Sequence, residues 1–143
     1  MAGIKRTVAD AAFSDTVRTR DRHTCQRCRK VYPERSAGLH CAHVVGRRNA
    51  ALRYDLQNCI SLCYPCHRAF DGEVLESADW FRNTFGDDRA EYLLTQKRVI
   101  VRHNEAMRKA VTQHYRSELA RMRDDPLYRP ENFDMTPHKK GAV

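Results

Sequence analysis

Residues 40–71 read HCAHVVGRRNAALRYDLQNCISLCYPCHRAFD, and the rest of the chain is organised around them. His43 stands in a β-type run, Asn58 follows 15 residues on, and His67 comes 9 further. Cys63 and Cys66 make a Cys-x-x-Cys pair directly before His67, and Cys25 and Cys28 make a matching pair upstream. A tetrahedral set of soft thiolates is what Zn²⁺ prefers, and a closed four-cysteine site leaves no open position for catalysis. The 34 residues between the pairs are more than a compact zinc ribbon uses, and the surplus has room for a hairpin. Cys25, Cys28, Cys63 and Cys66 are therefore expected to hold a structural zinc. Cys41 and Cys59 read as small buried hydrophobes rather than ligands.

Local patterns give the order strand, loop, strand, helix. Residues 39–45 are mostly apolar or β-branched between Gly38 and Gly46, which predicts an extended strand. Alternation puts His43 on one face with Cys41 and Val45, and His40 on the other with Ala42. Residues 59–62 can form a second short strand. Pro65 suits the first turn of a helix and Gly72 its end. On that helix His67 and Asp71 lie four apart and so stack on one face.

A chain of 143 residues has material for one modest core with appended segments, and too little for two independent cores. The expected segments are a basic N-terminal arm with a short helix (residues 1–24), a zinc-stapled core (25–72), a helical extension (73–124) and a polar tail or strap (125–143). Six cysteines, without an apolar N-terminal run resembling a secretory signal, favour a reducing cytoplasm and metal-bound thiolates over disulfides. No run approaches the roughly 20 apolar residues that span a bilayer, and no membrane partner is expected. The net charge of +8 and pI near 9.4 are spread along the chain, a field that attracts polyanions unless the cations merely solvate helix faces.

These residues resemble the HNH nucleases of the ββα-metal superfamily. The resemblance rests on His43, Asn58, His67 and the two Cys-x-x-Cys pairs. The Ala-His dipeptide, Arg47-Arg48, Leu52-Arg53-Tyr54-Asp55 and the CxxCH bring it closest to phage-type members, including the recombination nucleases of lambdoid phages. It covers about residues 25–72 and implies an α+β fold: a small ββα-metal core with a four-cysteine zinc site and helical extensions on both sides. It also implies that His43 is the general base, that Asn58 holds the hairpin so that His43 is aimed, and that His67 binds a catalytic divalent ion. Asp71, one turn on, is placed to be a second ligand or to hold a bound water, a donor set compatible with Mg²⁺ or Mn²⁺. DNA would be cut to 3′-hydroxyl and 5′-phosphate ends, in a host-cell cytoplasm if the chain is phage-encoded.

One position departs from the family pattern. Many members carry Asp or His directly before the base as a ligand, and here that residue is Ala42. His40 shares Ala42's face but lies about 6.6 Å away by strand rise. Either His67 and Asp71 hold the ion with waters, or an irregular strand lets His40 reach; the first is preferred. Arg47, Arg48 and Arg53, in the loop between base and asparagine, are either phosphate contacts or ordinary solvated charges.

Beyond Gly72 the chain turns helical. Ser77 is expected to cap a helix bearing Trp80, Phe81 and Phe85 and closed by Gly86; a second helix begins at Asp87, and a long one reaches about Arg123. An earlier helix is expected from Ser14 as N-cap. Met107, Val111, Tyr115, Leu119 and Met122 recur at helical spacing as a packing or dimerisation seam, so a homodimer is permitted. Arg102, Arg108, Lys109 and Arg116 lie off that stripe and are expected along DNA backbone. Two function classes follow: an HNH DNA endonuclease acting on branched or single-stranded intermediates, or a non-catalytic zinc-stabilised nucleic-acid-binding module on the same scaffold. CYPCH also matches a haem-attachment pattern, which lacks an export signal and leaves the first cysteine pair without purpose.

Overall fold

A two-stranded antiparallel sheet, β1 (Leu39–His43) and β2 (Cys59–Cys63), runs directly into a helix, α2 (Tyr64–Gly72). This computed structural model describes residues 4–141; residues 1–3 of the expected arm and 142–143 of the expected tail lie outside the described residues. The register sets His43 opposite Cys59, Ala42 opposite Ile60 and Cys41 opposite Ser61. Pro65 falls in the first turn of α2, where its missing N–H costs nothing. Because successive strand side chains point to opposite faces, this small sheet feeds two cores. Ala42, Ile60 and Leu62 join Leu52, Phe70, Phe81 and Leu93 on one side. Cys59, with Cys41 beside it, joins Phe13, Val17, Tyr54, Met107, Val111 and Tyr115 on the other.

The second core is made by the helices at the two ends of the chain. Helix α1 (Val8–Arg20) begins at Thr7, whose side chain accepts from the Asp10 N–H while the Asp10 carboxylate accepts from the Thr7 N–H. This reciprocal cap satisfies two donors that a helix start leaves unpaired. The expected start at Ser14 is thus two turns late: Ser14 is buried inside α1, and the supposed arm carries Phe13 and Val17 into the core. Helix α5 (Glu105–Asp124) is capped by Asn104, which accepts from the Met107 N–H. Its apolar stripe Met107, Val111, Tyr115, Leu119 and Met122 is buried, with Tyr115 packed edge-on to Phe13 at 5.0 Å. The seam is filled within the chain, by the apolar side of α1.

Two further helices follow α2. Helix α3 (Val74–Phe85) starts before Ser77; that residue caps nothing and instead donates its hydroxyl to the Phe70 carbonyl at 2.8 Å, pinning α3 to the end of α2. Gly86, at φ 97, takes the left-handed conformation that separates α3 from α4 (Asp87–Gln96). The segment after α5 runs back over the second core as a strap. Asn132 accepts from the Leu56 N–H, the Phe133 N–H donates to the Tyr115 hydroxyl, Phe133 and Met135 pack on the core, and Lys139 bridges Val101. The fold is α+β, with five helices around one two-stranded sheet among the described residues.

Candidate metal centre and catalytic cleft

The four-cysteine cage forms where the upstream loop meets β2 and α2. Residues 25–30 make a tight knuckle: the Cys25 N–H donates to the Lys30 carbonyl, the Arg29 N–H returns to the Cys25 carbonyl, and Arg29 takes a left-handed φ of 68. The Gln26 N–H donates to the Ser61 carbonyl at 2.8 Å and fastens the knuckle to β2. Cys63 ends β2 and Cys66 lies in the first turn of α2, so both pairs converge. Their sulfurs lie within 4.8 Å of one another, and Cys28 and Cys63 are 3.7 Å apart. Thiolates bonded tetrahedrally to zinc at about 2.3 Å stand about 3.8 Å apart, so the spacing fits. Burial opposes ionisation of Cys25, but the N–H groups of Cys63, Cys28 and Arg27 bring its thiol down to about 7. Burial and the neighbouring sulfurs push Cys66 up to about 12. Four thiolates cannot coexist here without a cation among them, and the donor set matches Zn²⁺.

A cleft of about 290 Å³ opens beside the end of β1, lined by His43 and Arg47 from the hairpin, His67 and Asp71 from α2, and Arg6 and Asp10 from the N-terminal segment. His43 is the last residue of β1, and its Nε2 is 3.0 Å from the Arg53 carbonyl. A carbonyl only accepts, so Nε2 carries the proton and Nδ1 keeps a lone pair. Burial, with Arg47 adding to it, holds the imidazole pKa below its ordinary 6.5 despite the pull of the Arg53 carbonyl. The ring is thus neutral and able to accept a proton near neutrality.

The carbonyl that holds His43 is itself fixed. Arg53 makes a bidentate pair with Asp10, Nε to Oδ1 at 2.9 Å and Nη2 to Oδ2 at 2.6 Å, and Nη2 also donates to the Lys5 carbonyl. Burial pushes the Asp10 carboxyl up, but the hydrogen bonds from Arg53 and Thr7 hold it below the usual range. Arg53, expected as a phosphate contact, is only 5% exposed and uses its guanidinium inside the protein. The expectation is corrected: Arg53 is a buried tie between α1 and the loop, and His43 leans on its backbone.

Asn58 is fully buried at the foot of β2. Its Oδ1 accepts from the Val45 N–H at 2.8 Å, and its Nδ2 donates to the Val45 and Leu52 carbonyls at 2.8 and 3.1 Å. One amide therefore closes the loop that follows His43 at both ends. On α2, His67 Nε2 is 3.3 Å from Asp71 Oδ2, while His67 Nδ1 is 3.0 Å from His40 Nδ1. Strand β1 stays regular, and the gap from His40 is crossed by side chains, the two rings meeting edge to face at 5.2 Å. The imidazole and carboxylate at 3.3 Å fit a divalent ion that prefers nitrogen and oxygen ligands.

The remaining cations divide by exposure. Arg48 is exposed, and Arg47 is half-buried with a donor on the Ile4 carbonyl. Arg102, Lys109 and Arg116 are exposed and Arg108 half-buried; the last three in chain order line a groove of about 800 Å³ between α5 and the start of α1. Sequence reasoning missed the residues that brace the site from outside the motif. Arg20 donates to the Leu56 and Cys59 carbonyls at 2.7 Å each, and Arg89 donates to the Gln57 carbonyl at 2.8 Å. Neither sits in any local pattern. Asp10 did leave a signal, since Thr7-x-x-Asp10 is a cap-like spacing ahead of an apolar run.

Fold and site together define a ββα hairpin-and-helix unit with a thiolate cage on one side and an imidazole-carboxylate cleft on the other. Comparison with protein families gives a match to the HNH endonuclease family over residues 25–70, about a third of the chain. The matched segment contains both cysteine pairs, His43, Asn58 and His67. No curated protein and no solved structure matches the chain.

Proposed function

We propose that this protein is a divalent-metal-dependent HNH endonuclease that hydrolyses DNA phosphodiester bonds. The observation that carries the reading is His43, neutral and with a free Nδ1 lone pair, in one cleft with the His67–Asp71 pair and Arg47. Nδ1 of His43 takes the proton from the water that attacks phosphorus. Arg53, through its carbonyl, keeps the ring in the tautomer this requires, and Asn58 keeps the end of β1 from shifting. A Mg²⁺ or Mn²⁺ held by His67 Nε2 and Asp71 would stabilise charge on the phosphate and on the departing 3′ oxygen. His67 then donates from Nδ1 to His40, which makes His40 a positioning residue, the neighbour that orients a metal-binding imidazole. Arg47 and Arg6 supply cations for the substrate phosphates.

The exposed bases on α5 extend that field toward the DNA backbone. The resemblance to recombination nucleases of phages supports branched or single-stranded DNA as substrate, and the six free cysteines suit a cytoplasmic setting. The test is nicking of supercoiled plasmid, four-way junctions and single strands in Mg²⁺ or Mn²⁺, by wild type and by a His43→Ala variant that retains zinc and fold. Cutting by the wild type alone is expected. Equal DNA binding by both, with no cutting of any substrate, would leave the non-catalytic binding module instead.

A further inference from the structure

The sheet face turned toward α1 carries a cluster that shares no residue with the four-cysteine cage. Cys41, His43 and Cys59 place two sulfurs and an imidazole nitrogen within 4.8 Å of one another. The register explains the convergence: His43 sits opposite Cys59, Cys41 is on the same face of β1, and its cross-strand neighbour is Ser61. Cys59 is fully buried, and so is Ser61, whose Oγ has no partner among the described residues. An unpaired hydroxyl is costly in a packed apolar layer, and here it stands beside the two thiols. His43 is also oriented as metal-binding histidines are, with Nε2–H given to a carbonyl and Nδ1 free. Cys41 and His43 line the open cleft, so an ion has a way in.

A disulfide fits this pair poorly. Cys41 and Cys59 are diagonal neighbours across the sheet, a relation that sets backbones about 7–8 Å apart, beyond the reach of a disulfide. A cation with thiolate bonds of about 2.3 Å joins sulfurs about 3.8 Å apart, a span that falls inside the 4.8 Å within which the three ligand atoms lie. The hard ions suited to His67 and Asp71 do not compete for thiolates, so the two sites sort their metals by softness.

We infer that Cys41, His43 and Cys59 form a second metal site, selective for Zn²⁺ and softer cations, and that filling it silences the nuclease by occupying the lone pair with which His43 accepts its proton. Metal binding stands on the cluster alone, whereas the silencing rests on the nuclease reading.

The experiment starts from full-length protein with its four-cysteine cage loaded with one zinc. Native mass spectrometry in excess Zn²⁺ should show two zinc ions on the wild type and one on Cys41→Ala and on Cys59→Ala, each checked by circular dichroism. Should a variant fail to fold, cobalt gives the answer on the wild type. One added equivalent of Co²⁺, too weak a competitor to displace zinc from the cage, should produce a thiolate-to-cobalt absorption that further Zn²⁺ abolishes. A wild type that takes one zinc and gives no such absorption, or folded variants that keep the second zinc, would overturn the site. In Mg²⁺, the second zinc should depress wild-type cleavage by about 10²- to 10⁴-fold, the range a general base contributes. The same zinc should spare folded Cys41→Ala; equal inhibition of both would overturn the silencing. Two bound zinc ions on a protein that cuts no substrate would uphold the metal site and sink the nuclease reading.

Discussion

Replacing Asn58 by Asp separates shape from hydrogen-bond chemistry at the residue that closes the loop after His43. The side chain is fully buried, accepts from the Val45 N–H and donates to the Val45 and Leu52 carbonyls. Alanine removes all three bonds; at about 1 kcal/mol net for each buried bond the cost is about 3 kcal/mol. For a chain of this size that lowers the melting temperature by roughly 6–12 °C. Aspartate is isosteric and keeps the bond from Val45 N–H, so shape alone predicts a smaller loss. The chemistry predicts the reverse at neutral pH, because a carboxylate oxygen would face two carbonyl oxygens in a dry site, leaving a charge buried without a counter-charge. Asn58→Asp should therefore be at least as destabilised as Asn58→Ala at pH 7. Burial raises the pKa of the new carboxyl in the folded state, so part of the loss should return as pH falls through that raised value and one donor is restored. Urea denaturation at pH 7 and pH 5, with zinc content checked, measures both effects relative to wild type at each pH. An Asn58→Asp protein within about 0.5 kcal/mol of wild type at pH 7 would refute the reasoning, since a single lost buried bond is already worth more.

Asp10→Ala leaves the Arg53 guanidinium buried without its counter-charge and removes half of the α1 cap, and should cost about 3–5 kcal/mol by urea denaturation. For the nuclease, the acidic limb of kcat/KM against pH should fall below the 6.5 of free imidazole, because buried His43 resists protonation and stays an active base to lower pH. A limb at or above that value would place the base elsewhere. Changing Arg108, Lys109 and Arg116 together to Gln should reduce the slope of log affinity against log salt by up to about 2.7, about 0.9 for each phosphate no longer neutralised. An unchanged slope would take α5 off the DNA. Cys66→Ser, or removal of zinc by a strong chelator, should collapse the β2–α2 junction, since structural zinc supplies roughly 10–16 kcal/mol against a typical folding stability of about 5–15 kcal/mol. Near-ultraviolet circular dichroism reports that loss.

The centre of the fold was legible because its chemistry is local. Cys63, Pro65, Cys66 and Gly72 fix a strand end, a helix start, two ligands and a helix end within ten positions of one another. The stripe on α5 was equally plain, since five apolar residues at helical spacing have no solvated alternative. What covers that stripe was not plain. α1 is polar on average and carries Asp10, Asp15, Arg18 and Arg20, so its buried side reads as an arm until Phe13 and Val17 are seen against Tyr115. Arg53 misled for a related reason. A sequence shows that a residue is charged but not that Asp10, 43 positions earlier, waits for it in the interior. Ser14 and Ser77 read as caps because serine favours helix starts, yet both side chains lie buried within helices whose true starts come earlier.

These buried ties make the extensions part of the site. His43 answers to more than one portion of the chain: it lines the cleft shared with α2, while its Nε2 depends on the Arg53 carbonyl, and through that residue on Asp10 and the start of α1. The loop bearing Arg53 is held from three more directions. Asn58 grips it from the turn just before β2, the Tyr115 hydroxyl on α5 donates to the Tyr54 carbonyl, and Arg20 on α1 holds the turn at Leu56. A hairpin and one helix cannot bury both faces of a two-stranded sheet, and an imidazole on a half-open sheet would exchange tautomers with solvent. With α1 and α5 packed behind it, His43 keeps its Nε2 proton on the Arg53 carbonyl and its other ring nitrogen unprotonated.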